Sequence, residues 1–489
     1  NVKQDLGILI KHLQDEYQTN KLEHELLLPY HNLSQEIYQG FQQLLDPRVD
    51  NARYPAAIAR LKKYNGTTEG YAPITKLARE RTREAFTRPD LIGPYENELS
   101  QDRENSDSFL AGIKKLFVKA GLDGWQEDFQ LLEKQLLDYE RWLVKELHPK
   151  ARKSHLLPEV LYADSLKNFG VEMAPRELIR RAQFGFAEIR AEMEALARRR
   201  ALEKGYPFSD YREVVRVLKK EQTSSEEILD LYKRRLAEIE EVIRKHQIIT
   251  LPKRDVVIRL ATEAESASIP APHLRTPQLI GNTGQPIYFV MPLNNPNSDS
   301  KAKMDDFTHQ AAAWTLTAHE ARPGHELQFS NMIEEGVSIA RGIFAFNSAN
   351  VEGWALYAEA VMKEYFPVDG QMLALQHRLL RAARAFLDPM LNLGMLDREE
   401  VKTFLMEEVV LSEPMAQQEI DRYSFRAPGQ ATSYYFGYIQ LMTLRTEVEL
   451  ALKDEFKQKA YHDFILRQGL LPLYQLRDVV LQQFATEPK

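Results

Sequence analysis

Helical periodicity runs through most of this chain and is interrupted only once, between about residues 250 and 300. That interruption limits the fold more than any other feature. Ile228, Tyr232, Leu236, Ile239 and Ile243 recur at helical spacing with charges between them, as expected for an amphipathic helix. Ser224, with Glu227 three residues on, reads as its capping box. The stretch 176–200 has the same texture, and its Lys, Arg and Glu are read as a solvated face. Residues 255–260 and 286–291 are instead short β-type runs. Between them lie Pro270, Pro272, Pro277 and the turn Gly281-Asn282-Thr283-Gly284, and 294–299 reads as a loop. The expectation is a mainly α protein. A helical lobe over 1–250, a small β region over 251–300 and a second helical lobe over 301–489 would make one integrated unit.

Composition removes several classes of chemistry. The chain has no cysteine, which excludes disulfides, thiol nucleophiles and thiolate metal sites, so any metal site must use His, Asp and Glu. Absence of cysteine fits an exported protein slightly better than a cytoplasmic one, and the start at Asn1 rather than Met suggests a processed or trimmed product. A periplasmic or lipoprotein-anchored location is therefore expected. A net charge of −7 argues against a nucleic-acid partner, and no apolar run is long enough to span a membrane.

The chemically informative segment is Thr317-Ala-His319-Glu320-Ala-Arg-Pro323-Gly324-His325-Glu-Leu-Gln328. Helical zinc hydrolases use two imidazoles to bind the ion, and a glutamate beside the first takes a proton from water. Their histidines are usually four residues apart. Here the spacing is six, about 240° around a regular helix, which puts the second imidazole on the wrong face. Pro323 would clash with the His319 carbonyl in a regular helix, and Gly324 tolerates whatever dihedrals result. A two-residue bulge there would return His325 to the metal. Glu352, 27 residues after His325, is the expected third ligand. Glu359 is seven residues further on, about 20° away on a helix, and would support the ligands from behind. His309 is expected on the same helix as His319 in a supporting role, and His377 is expected at the surface. His24-Glu25, followed by His31, is read as structural.

The pattern His319-Glu320-x-x-Pro323-Gly324-His325-x-x-Gln328, then Glu352-Gly-Trp-Ala-Leu-Tyr-Ala-Glu359, resembles the bacterial family known as domain of unknown function 885. Arg422-Tyr423, Pro428-Gly-Gln430-Ala, Tyr434 and Gly437 extend the match over the C-terminal third. The resemblance implies a large two-lobed helical fold of zincin-like metallopeptidase type, with a deep channel and the small sheet near the active-site helix. It implies Zn²⁺ held by His319, His325 and Glu352, with Glu320 as general base. Tyr434, or its neighbour Tyr435, would donate a hydrogen bond to the oxyanion. Arg422 would orient that tyrosine or a substrate carboxylate, with Gln328, Gln430 and Glu359 as supporting or substrate-binding residues. One departure is Asn392, where the family often has His after Arg384 and Asp388.

The function this predicts is zinc-dependent hydrolysis of peptide bonds, with short peptides as substrates. The alternatives are a non-catalytic peptide-binding or scaffold protein with a degenerate site, and a metal-dependent amidase. The strand 287–291 is expected to hold the substrate backbone by strand addition.

Overall fold

The computed structural model describes residues 2–224, 226–269, 271–292 and 304–485. The loop expected at 294–299 and the turn residue Pro270 lie outside them. The described residues are mainly helical, with one three-stranded sheet. No helix among them is long and apolar enough to cross a membrane.

The first core forms where Leu33–Leu44, Glu96–Lys119 and Gln126–Trp142 turn their apolar faces together, burying Phe41, Phe109, Phe117 and Leu132. The helix Pro175–Lys204 joins a different core, shared with the C-terminal half. Its Leu178, Ala182, Phe186 and Met193 pack with Leu379 and Phe386, and Phe186 meets Phe386 edge-on at 5.6 Å. The helix Ile228–Lys245 packs Ile239 and Ile243 into a third core with Ala318, Leu327 and Trp354. It starts at Ile228, later than the capping box suggests, because the Ser224 hydroxyl donates to the Glu227 carboxylate rather than capping a backbone N–H.

The sheet corrects one expectation. Strands β1 (Val257–Leu260), β2 (His273–Arg275) and β3 (Tyr288–Met291) lie in the order β1-β3-β2. β3 is therefore central, parallel to β1 and antiparallel to β2. Both its edges are hydrogen-bonded, so it cannot take up a substrate strand by addition. The strand missed in the sequence is the three-residue β2, which the prolines around it disguise as a turn. The sheet does lie near the site. Ile287 shares a core with Ala318 and Leu327, and Phe289 and Met291 share one with Leu316.

Five helices carry the site: α1 (Ala312–Glu320), α2 (His325–Glu335), α3 (Ser348–Met362), α4 (Val368–Asn392) and α5 (Ser433–Leu452). α3 and α5 touch through their backbones. A Cβ on Gly437 would stand 1.9 Å from the Ala349 carbonyl oxygen, and one on Gly353 would stand 2.6 Å from Gly437 Cα. Only glycine allows this approach, and it sets Glu352 beside Tyr434.

Candidate metal centre

The six-residue histidine spacing is accommodated by two helices, not by a bulge in one. α1 ends at Glu320, the chain turns through Ala321–Gly324 with the Arg322–Pro323 bond cis, and α2 begins at His325. A new helix has its own axis, so the angular mismatch of a single helix does not arise. A Cβ at Gly324 would meet the His319 carbonyl oxygen at 1.9 Å, so the turn needs glycine there. The turn is held by buried Arg322, whose Nε donates to Glu326 at 2.8 Å and whose other nitrogens reach Glu240 and the Arg254 carbonyl. Trp354 Nε1 of α3 donates to the Pro323 carbonyl at 3.0 Å.

This turn brings His319, His325 and Glu352 together, with one possible ligand atom from each all within 4.8 Å of one another. Glu352 Oε2 lies 3.6 Å from His319 Nε2 and 3.2 Å from His325 Nε2. Tetrahedral ligands about 2.0–2.2 Å from a zinc ion stand roughly 3.3 Å apart, and the two distances from Glu352 Oε2 lie close to that. Among the described residues, Glu352 Oε2 and His325 Nδ1 are buried with no hydrogen-bond partner. A bare buried carboxylate oxygen facing two imidazoles suits a cation. The other ring nitrogen of His319, Nδ1, lies 2.7 Å from Glu359 Oε1. That bond directs the Nε2 lone pair toward Glu352 and the shared position. Thr315 donates to the other Glu359 oxygen.

The electrostatics follow from burial. Burial opposes ionisation of Glu352, but His325 and His319 overcome it and hold the carboxyl well below its ordinary range. Burial likewise opposes Glu359, and Arg381 and His319 bring it down to about 2. Glu320 has less compensation. Burial pushes it up to about 8, with His325 and Arg381 working against the rise and Glu352 and Glu359 adding to it.

Tyr434 and Tyr435, left as alternatives by the sequence, point in different directions. The Tyr434 ring stacks on His319 with centroids 6.1 Å apart, and its hydroxyl accepts from Arg422 at 3.1 Å. The Tyr435 hydroxyl lies against Gly185 of the helix Pro175–Lys204, where a Cβ would come within 1.7 Å of it. Arg422 also donates to Gln430, whose amide donates to Ser348 at the start of α3 at 2.9 Å. Gln328 joins α2 to α3 by donating to Asn350 at 3.0 Å.

Two histidines are not where the sequence suggested. His377 is buried and lies 4.0 Å from Glu359, so the expected surface position is wrong. His309 precedes α1 rather than sharing its helix, and forms an isolated bridge with Gln222. It is fully buried, and neither ring nitrogen has a close hydrogen-bond partner among the described residues. His24 ends the first helix, far from this cluster in character: it is exposed, as is Glu25.

Sequence reasoning missed the polar stripe of α4. His377, Arg381, Arg384, Asp388 and Asn392 are spaced four, three, four and four residues apart, so they share one face of a helix buried almost throughout. Each serves the site or its supports. Arg384 pairs with Glu419 through two 2.6 Å bonds, and its guanidinium sits 4.9 Å from the Tyr434 ring. Asp388 accepts from Gly429 N–H and the Tyr162 hydroxyl, each at 3.0 Å, and so fixes the turn before Tyr434. Asn392 donates to Asp388 and to the Tyr423 carbonyl. The signal was present: five polar residues at helical spacing among Leu379, Leu380, Ala382, Ala383, Phe386 and Leu387.

Fold and site together define a mainly helical protein built around a buried cluster of two histidines and one glutamate that could hold a metal ion. The chain belongs to the family described as bacterial protein of unknown function (DUF885), whose family model matches residues 2–480. Among solved structures it is similar to "a putative lipoprotein of unknown function" from Shewanella oneidensis, with a TM-score of 0.72 at 20% identity, covering 98% of this chain and 88% of that one. It is also similar to "the putative lipoprotein" from Colwellia psychrerythraea, with a TM-score of 0.69 at 21% identity, covering 90% and 78%. At these identities the likeness concerns the fold. No curated protein matches the chain.

Proposed function

We propose that this protein is a zinc-dependent peptide hydrolase. The observation that carries the reading is the convergence of His319, His325 and Glu352 on one point, with Glu359 behind His319 and Glu320 at the end of the same helix. A divalent ion held by these residues would supply Lewis acidity toward a water and a substrate carbonyl. Glu320 acts as the general base. Its pKa of about 8 without a cation leaves it largely protonated at neutral pH, and a nearby positive charge favours the ionised form that accepts a proton. Tyr434 is the hydrogen-bond donor to the developing oxyanion. Burial raises its pKa against the pull of Arg422, so the phenol keeps its proton. Arg422 and Arg384 hold the ring in place from two sides.

Export, to the periplasm or to a lipid anchor, is the location we favour, in line with the lipoprotein naming of both similar structures. Two measurements test the function. Elemental analysis after purification with added zinc should give about one equivalent per chain, and a peptide library should be cleaved by the parent but not by Glu320→Gln. Cleavage that survives this substitution sinks the mechanism. Zinc below about a tenth of an equivalent favours a peptide-binding protein with a degenerate site instead.

A further inference from the structure

Four arginines face Tyr434 and Tyr438 of α5, and their partners are unequal. Arg384 is matched by Glu419. Arg422 donates to Tyr434 and Gln430 and lies 3.7 Å from Glu419. Arg381 lies 3.6 Å from Glu359, a carboxylate already engaged by His319 and Thr315, and its guanidinium is 5.7 Å from the Tyr434 ring. Arg378, one turn earlier, has no carboxylate within ion-pair distance among the described residues. Its guanidinium only overlies the Tyr438 ring, at 5.4 Å.

Arg378 is 9% exposed and Arg381 6% exposed, and among the described residues the Nε of each is buried without a hydrogen-bond partner, while the other nitrogens of Arg381 donate to the His377 carbonyl at 3.3 Å and face Glu359. Arg378 has no such counter-ion among the described residues, and a guanidinium largely taken out of water without one favours an anion arriving from outside. A guanidinium presents a planar fork of donors, and the anion that matches it with two parallel bonds is a carboxylate. Arg381 and Arg378 are three residues apart, about 4.5 Å along α4, leading away from the Tyr434 ring that stacks on His319.

We propose that Arg378 and Arg381 bind a carboxylate of the substrate, and that this carboxylate is the C-terminal one, so that short peptides are held by their C-terminal end next to the metal centre. The peptide character of the ligand rests on the proposed hydrolase function. The need for an anion does not.

Binding to the Glu320→Gln protein separates the two. The probes are Ala-Ala-Ala, its C-terminal amide, and Ala-Glu-Ala amide, measured by titration calorimetry. Ala-Ala-Ala is expected to bind roughly tenfold to a hundredfold tighter than its amide, the range for losing a charge-assisted pair. In Arg378→Gln that gap should shrink to about threefold or less, and Arg378→Lys, which keeps the charge but not the fork, should fall between. If Ala-Glu-Ala amide alone binds tightly, the carboxylate site stands and its source is a side chain. Equal binding of acid and amide, no binding of any probe, or a gap that survives in both Arg378→Gln and Arg381→Gln overturns the proposal.

Unfolding of the unliganded variants gives a second reading. Arg378→Gln should melt no lower than the parent, since no ion pair is lost, and a drop of several degrees would show a structural partner instead. A protein that prefers the acid but hydrolyses nothing breaks the hydrolase reading and leaves the carboxylate site intact.

Discussion

The chain contains two His-Glu pairs followed by a later histidine, and they have opposite surroundings. His24 and Glu25 lie exposed at the end of a helix, and His31 lies 3.5 Å from the half-exposed Glu36. His319, Glu320 and His325 are buried, with exposures of 2%, 7% and 6%. Behind them stand Glu359, Thr315 and Arg381, and Glu352 closes the front. The dipeptide is the same in both places, so it does not define a site. A site needs helices that bury the ring nitrogens and supply carboxylates on both sides of them. The close approach of α3 and α5 through Gly353 and Gly437 does this at the second pair.

The largest test of this contrast is catalytic. Glu320→Gln should lower kcat/KM on a cleaved peptide by about 10²–10⁴-fold, the usual contribution of a general base. Glu25→Gln should leave it unchanged. Equal losses in steady-state assays of the two variants would remove the distinction. The next largest test is structural. Gly437→Ala places a methyl 1.9 Å from the Ala349 carbonyl oxygen, so α3 and α5 must separate. A loss of about 3 kcal/mol in urea unfolding is expected. Zinc affinity should fall with it, because Glu352 moves with α3.

These tests rest on residues that the sequence made legible to different degrees. The sequence grouped His319, His325, Glu352 and Glu359 by residue type and helical spacing, and the structure brings these four side chains together. Tyr434 and Tyr435 were left as a pair. What separates the two is that one hydroxyl meets Arg422 and the other meets Gly185, and both contacts are tertiary. The helix break at 321–324 was expected as a bulge, since a proline shows where regularity fails but not how far the next axis turns. The order of the sheet was not legible. β2 is three residues long, and pairing between distant segments leaves no local periodicity. His377 was misplaced because its neighbours Arg378 and Arg381 suggest solvent. Burial of such residues depends on partners elsewhere in the chain, as Glu359 and Glu419 show.

A third test uses pH and the histidines that the interior keeps neutral. Burial lowers His309 to about 4, and it lowers His462 to about 4 despite the bond to the Ile248 carbonyl. Between an unfolded value of about 6.5 and these folded values, the unfolded chain binds more protons, so the two rings' contribution to stability falls as the pH drops through that window. That contribution is about 3 kcal/mol for each residue by pH 4, and roughly 2 kcal/mol at pH 5. Glu320, raised to about 8, and Asp388, raised to about 7, act with the opposite sign over the same range. The test is therefore a difference: between pH 7 and pH 5 in urea unfolding, His462→Gln should change more favourably than the parent by about 2 kcal/mol. Identical pH dependence in parent and variant would mean that the His462 ring takes up its proton as readily in the folded protein as in the unfolded chain.

The smallest effect comes from the exposed pair and has the opposite sign. His31 is raised by its hydrogen bond to Glu36, against the opposing effect of partial burial. A raised histidine stabilises the fold below its unfolded pKa of about 6.5 and loses that contribution as pH rises through the folded value. Both partners are about half exposed, so solvent and salt screen the pair to about 0.5 kcal/mol or less. His31→Ala should therefore cost about that much at pH 5, and less at pH 8. His24→Ala, at an exposed helix end, should stay within about 0.5 kcal/mol at either pH. Bound zinc should be unchanged in both variants. Loss of zinc in either would show that the N-terminal pair holds metal, and the distinction between buried and exposed His-Glu pairs would no longer account for where the ion goes.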